Sequence, residues 1–72
     1  MENVSTSNLV HLNRRELEIL RLLAKGLSTR KIADEIGLGS ETVLWYRKGL
    51  HKKFKVHSTA ELVYKAVEQS IL

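Results

Sequence analysis

Thr29-Arg30-Lys31-Ile32-Ala33-Asp34-Glu35-Ile36-Gly37-Leu38-Gly39-Ser40-Glu41-Thr42-Val43-Leu44-Trp45-Tyr46-Arg47-Lys48-Gly49-Leu50 is the stretch that decides the fold. Its apolar residues recur at three and four residues, the helical period. Ile32-Ala33, then Ile36-Gly37-Leu38, then Val43 and Tyr46 form the packing pattern of two short helices joined by a tight turn, a helix-turn-helix. Each position has a physical reason. Ala33 is small because two helices cross closely there. Gly37 supplies a turn where positive φ is expected. Leu38 plugs the core from the turn, and Val43 and Tyr46 hold the second helix against the first.

Outward from this stretch the boundaries are legible. Ser28 starts one helix, Gly37 stops it, and the next runs from about Ser40 to Phe54 with Gly39 as its cap. At about 100° per residue, Val43, Tyr46, Leu50 and Phe54 share one side of that helix. Leu44, Trp45, Lys48, His51 and Lys52 share the other. Upstream, Asn13-Arg14-Arg15-Glu16 has capping-box spacing, with Leu12 and Leu17 at staple positions. Leu17, Ile19, Leu20, Leu23 and Ala24 form the stripe, and Gly26 ends the helix. Downstream, Ser58-Thr59-Ala60-Glu61 is a second capping box. It opens a fourth helix carrying Leu62, Val63, Ala66, Val67 and Ile71. Residues 1–10 are expected to be a flexible lead-in or linker remnant, and 11–72 the domain. The expected core is Leu17, Leu20, Leu23, Leu27, Ile32, Ala33, Ile36, Leu38, Val43, Tyr46, Leu50, Phe54, Val56 and Leu62.

Composition narrows the function. The 72 residues are 43% apolar and 28% charged, a folding composition with a small core. The absence of Pro and the single Phe argue against an all-β module. The absence of Cys excludes disulfides, a thiolate nucleophile and a Cys-based zinc site. His11, His51 and His57 lack ligand spacing, so no metal or cofactor is expected. No carboxylate pair, Ser/His/Asp arrangement or Gly-rich phosphate loop points to an enzyme. No apolar run reaches the roughly 20 residues of a membrane span, and a cytoplasmic protein is expected. Twelve Lys/Arg against eight Asp/Glu give net +4. A small basic domain favours a polyanion, nucleic acid first. Between Leu44 and His57 the chain carries Arg47, Lys48, Lys52, Lys53 and Lys55 and no acid. Each cation near a phosphate releases counterions and adds sequence-independent affinity.

The run Leu12 to Leu20 followed by Ala24-Lys25-Gly26-Leu27-Ser28 resembles the opening of the LuxR/GerE-type helix-turn-helix domain. Ile32-Ala33, Thr42-Val43, Lys53-Phe54 and Ser58-Thr59-Ala60-Glu61-Leu62-Val63 continue the pattern, over about residues 11–72. The resemblance implies an all-α, four-helix output domain of a bacterial transcription regulator, behind an N-terminal sensor or receiver domain absent from this chain. It implies double-stranded DNA as partner, with the third helix in the major groove. By position it puts Leu44, Trp45 and Lys48 at the bases. Thr42, Lys52, Thr29, Arg30 and Lys31 then lie near phosphates. Leu62, Val63, Ala66 and Val67 serve core packing and a homodimer contact through the fourth helix.

The chain departs from the family pattern at five places. Gly39 stands for the usual capping Ser, Leu44 for a common Lys or Arg, Tyr46 for a frequent His, Lys55 for a Gly, and Thr59 for a frequent Arg. Lys55 is therefore expected in a left-handed conformation. Gly49, inside a helix, has two open readings: close backbone approach, or a neutral exposed position. The alternative from another class is a protein-interaction module that keeps the fold and uses Leu44 and Trp45 as its anchor. The promoter-reading helix-turn-helix of sigma factors and an anionic-membrane binder rank lower.

Overall fold

A computed structural model describes residues 10–72 of the chain. The expected lead-in lies, except for Val10, outside the described residues. Within them there are four helices and no strand: α1 (Arg14–Ala24), α2 (Thr29–Ile36), α3 (Ser40–Phe54) and α4 (Thr59–Glu68). The all-α, four-helix architecture agrees with the sequence reading. α1 packs on the other three helices, α2 on α3, and α3 on α4, while α2 and α4 make no direct backbone contact.

Local chemistry sets the helix ends. At α1 the capping box is complete. The Asn13 side chain accepts from the Glu16 amide at 2.8 Å, and the Asn13 amide donates to Glu16 Oε1 at 3.0 Å. At α4 only half of the expected box forms. Ser58 Oγ accepts from the Glu61 amide, but Glu61 Oε1 takes the His57 amide instead, at 2.8 Å. Ser58 is more extended than Asn13 (φ −142° against −81°), which swings its own amide away from the carboxylate. The bond from His57 holds the exposed Glu61 carboxyl below its ordinary range.

Left-handed residues follow all four helices, Ser70 (φ 59°) among them after α4. Gly26 (φ 89°) lets the Leu27 amide return to the Leu22 carbonyl, and Gly37 (φ 72°) lets Leu38 return to Ala33. After α3 the same turn is made by Lys55 at φ 56°, with Val56 donating to the His51 carbonyl. A side chain in this region costs about 1–2 kcal/mol relative to the right-handed one.

The core consists of Ile19, Leu20, Leu23, Ile32, Ala33, Val43, Leu50, Phe54, Val56, Leu62 and Ala66. Partly buried Leu12, Leu27, Ile36, Leu38 and Tyr46 pack around it. Three expectations are corrected. Leu17 is half-buried and Ala24 exposed, because the inward phase of α1 runs through Ile19, Leu20 and Leu23. Leu27, Ile36, Leu38 and Tyr46 rim the core rather than fill it. Ile71 lies beyond the end of α4, where its amide caps the Ala66 carbonyl at 2.8 Å.

Candidate nucleic-acid interface

α3 is anchored on one side by Val43, Leu50 and Phe54, all buried. Helical geometry therefore turns Glu41, Trp45, Lys48 and Lys52 to the opposite side. All four are exposed. Trp45 is 69% accessible and Leu44, at the flank, 40%. The two are neighbours in sequence, so the outer face of α3 carries apolar area beside its lysines. The Trp45 ring is not loose. It meets Tyr46 edge-to-face, with centroids 5.2 Å apart and planes at 83°. Tyr46 is itself half-buried against the core, so the bracing reaches the interior.

The five cations between Leu44 and His57 do not act alike. Lys48, Lys52 and Lys55 are exposed and have no ion-pair partner among the described residues. Lys53 is committed inward. Its Nζ donates to Glu16 Oε1 at 2.9 Å and to the His11 carbonyl at 3.3 Å. Burial pushes the Glu16 carboxyl up, but the hydrogen bond from Lys53, the one from the Asn13 amide and the Lys53 charge together hold it below its ordinary 4.5. Arg47 is also committed. Its guanidinium donates to Thr29 Oγ1 at 3.1 Å and to Thr59 Oγ1 at 2.8 Å. It thereby joins the first turn of α2 to the first turn of α4, two helices whose backbones do not pack on each other.

The residues expected near phosphates divide accordingly. Arg30, Lys31, Thr42 and Lys52 are exposed, whereas Thr29 is half-buried and its hydroxyl is taken by Arg47. The structure brings Leu44, Trp45, Lys48 and Lys52 onto one helix surface, with the first turn of α2 on a separate element packed against α3. His51 is corrected from a surface residue to a half-buried one whose Nε2 is buried without a partner. Burial, then the charges of Arg47 and His57, hold its pKa below the ordinary 6.5 against the opposing pull of Glu61. On α4, Leu62 and Ala66 have no accessible surface and belong to the domain's own core. Of the two roles expected for them, core packing and a dimer contact, their burial matches the first and leaves no surface for the second. Val67 is 56% exposed and Val63 half-buried, and Tyr64, which the sequence reading did not single out, is 64% exposed. Its spacing from Val67 (i, i+3) was the available signal.

Gly49 is resolved in part. A Cβ built there meets nothing within 4 Å, so no close approach inside the domain requires glycine. No helix in the described residues is long and apolar enough to cross a membrane.

Residues 10–66 match the family described as bacterial regulatory proteins, luxR family. The chain is 43% identical over 61 residues to the transcriptional activator protein ExaE of Pseudomonas putida, covering 85% of this chain and 28% of that protein. It is 36% identical over 61 residues to the Fimbriae Z protein of Escherichia coli (strain K12), covering 85% of this chain and 29% of the other. The chain thus spans under a third of the length of these curated relatives. With most of its length matched and a helix-turn-helix frame carrying an exposed basic and aromatic face, this chain belongs to the luxR family of bacterial regulatory proteins.

Proposed function

We propose that the chain is the sequence-specific, double-stranded DNA-binding part of a bacterial transcription regulator, with α3 lying in the major groove. The observation that carries this reading is the outer face of α3. Trp45, Lys48 and Lys52 are exposed there, on a helix whose other side is anchored in the core. A helix held this way fits the roughly 12 Å wide major groove, and the free lysines neutralise phosphates at its walls. The relative named above as a transcriptional activator supports a regulatory role.

Two copies bind together through α4 on half-sites about one helical turn apart. Val63, Tyr64 and Val67 are the residues for that contact, because they remain accessible when Leu62 and Ala66 are buried. In the whole regulator an N-terminal sensor or receiver domain controls this pairing, and the protein acts in the cytoplasm.

The test is in vitro selection from a random duplex pool at near-physiological salt, followed by titration at several salt concentrations. Enrichment of a two-fold-symmetric motif, with affinity falling as salt rises, is the expected result. An enriched single half-site would retain DNA reading and remove the dimer. No duplex binding at any salt, together with salt-insensitive capture of a protein through Leu44 and Trp45, would replace this reading with a protein-interaction module.

A further inference from the structure

We infer that this domain reads its site by apolar contact of Trp45 and Leu44 with thymine methyl groups, not by bidentate recognition of guanine. The inference rests on the DNA-binding reading above and adds the chemical class of the base contact.

α3 offers no free planar side chain to read guanine or adenine edges. The residue best suited to guanine is Arg, whose planar fork meets O6 and N7 together. α3 contains one, Arg47, and its two terminal nitrogens, the prongs of that fork, already donate to Thr29 and Thr59. Releasing it would break the hydrogen bonds that join the first turns of α2 and α4 and leave two half-buried hydroxyls without their donor. No Asn or Gln, the usual reader of adenine, occurs between Ser40 and Phe54. The outer face keeps Glu41 and two lysines, Lys48 and Lys52, flexible point charges without a planar fork to fix O6 and N7 together.

What α3 does present is apolar area at the position closest to an approaching base edge. Trp45 stands opposite the buried side and is 69% exposed, with Leu44 beside it at 40%. The edge-to-face contact with Tyr46 favours this placement of the indole before DNA arrives, which lowers the rotamer freedom lost on binding. One turn further on, Gly49 adds no side chain to the same flank, and the space at its Cβ position is open. Of the four bases only thymine carries a methyl into the major groove. Lys48 and Lys52 follow the apolar pair one and two turns further along the same exposed face, where their charges can meet backbone phosphates.

The experiment takes the duplex enriched by selection and replaces each thymine in turn with deoxyuridine. That change removes the 5-methyl and leaves every hydrogen-bonding group in place. At one or two thymines per half-site, affinity should fall about fourfold, the worth of one buried carbon. The same replacement should have no effect at one of those positions in Trp45→Ala and at another, or the same one, in Leu44→Ala. Trp45→Phe should keep the discrimination. Both alanine variants alter exposed side chains, and circular dichroism checks that their helix content is unchanged. If no thymine responds, or if the response is equally large in both alanine variants, the methyl contact is overturned while DNA binding stands. Salt-dependent binding with no enriched sequence overturns any base contact. No duplex binding at all overturns the underlying reading as well.

Discussion

Arg47 and Lys48 are neighbours with opposite destinations, and a single pair of substitutions separates them. Arg47 is half-buried and spends its donors inside the domain. Arg47→Met keeps the apolar stem and removes both bonds. It should lower unfolding free energy by about 1–3 kcal/mol, the range for hydrogen bonds to a charged group, read from urea melts. Lys48 is exposed and unpaired among the described residues. Lys48→Ala should leave the melt within about 0.5 kcal/mol of the parent. Its cost should appear in DNA affinity, with the slope of log affinity against log salt reduced by about one. If Lys48→Ala leaves both affinity and salt slope unchanged, the outward face assigned to α3 is wrong. Gly49 belongs at this scale too. With open space at its Cβ position, Gly49→Ala should stabilise the domain by about 1 kcal/mol through helix propensity. A destabilised variant would show that glycine is required there for a reason inside the fold.

At the scale of the element, α3 is the helix with the weakest ends, and both weaknesses sit where the chain departs from the family pattern. Its N-cap Gly39 makes no side-chain bond, at a backbone conformation (φ −74°, ψ 152°) that any residue can adopt. Gly39→Ser should supply the missing acceptor and gain a few tenths of a kcal/mol. Its C-terminal turn is made by Lys55 in the left-handed region. Lys55→Gly removes that steric cost and should raise stability by about 1 kcal/mol, the difference between a side chain and glycine in this conformation. Because Lys55 also carries one of the free charges beside α3, the same variant should bind DNA more weakly at low salt. Thermal melts of both variants, alone and combined, test this. The two ends lie about four turns apart, so their effects should add.

The whole molecule ties the residues before α1 to α3 and α4. Lys53 reaches back to Glu16 and to the His11 carbonyl, and the Val10 amide donates to Gln69 Oε1 at 2.9 Å. This tie has a pH signature. Burial raises the Glu16 carboxyl, but Lys53 and the Asn13 amide bring it to a net value below its ordinary 4.5. A carboxyl depressed in the folded state stabilises the fold fully above its unfolded value. That contribution is lost as pH falls through the lower folded value. His51 acts in the same direction at higher pH, since its folded pKa lies below the ordinary 6.5 and acid must charge a half-buried ring. Stability should therefore decline in two stages on acidification, the first below about pH 6.5 and the second below about pH 4.5. His51→Gln should remove the first stage and Glu16→Gln should weaken the second, which Glu61 shares, as measured by urea midpoints across the range. A first stage undiminished in His51→Gln and a second stage undiminished in Glu16→Gln would assign the pH dependence elsewhere.

Sequence by itself determined the helix-turn-helix and most helix ends, because those features depend on interactions within a few residues. Asn13, Ser28 and Ser58 cap where their spacing places them, Gly26 and Gly37 turn where glycine is cheapest, and Lys55 takes the strained turn that glycine would have eased. The outward position of Trp45, Lys48 and Lys52 was legible for the same reason, since helical phase is a local property. Tertiary structure decided which charged groups are free. Arg47 and Lys53 stand in the same basic run as Lys48 and Lys52, and nothing within that run distinguishes them. They differ because Thr29 and Thr59 meet at Arg47, and Glu16 meets Lys53 across 37 positions of chain. It likewise decided that Leu62 and Ala66 face inward while Tyr64 and Val67 face out. A helix with apolar residues on more than one side has no preferred inner face until its neighbours are in place.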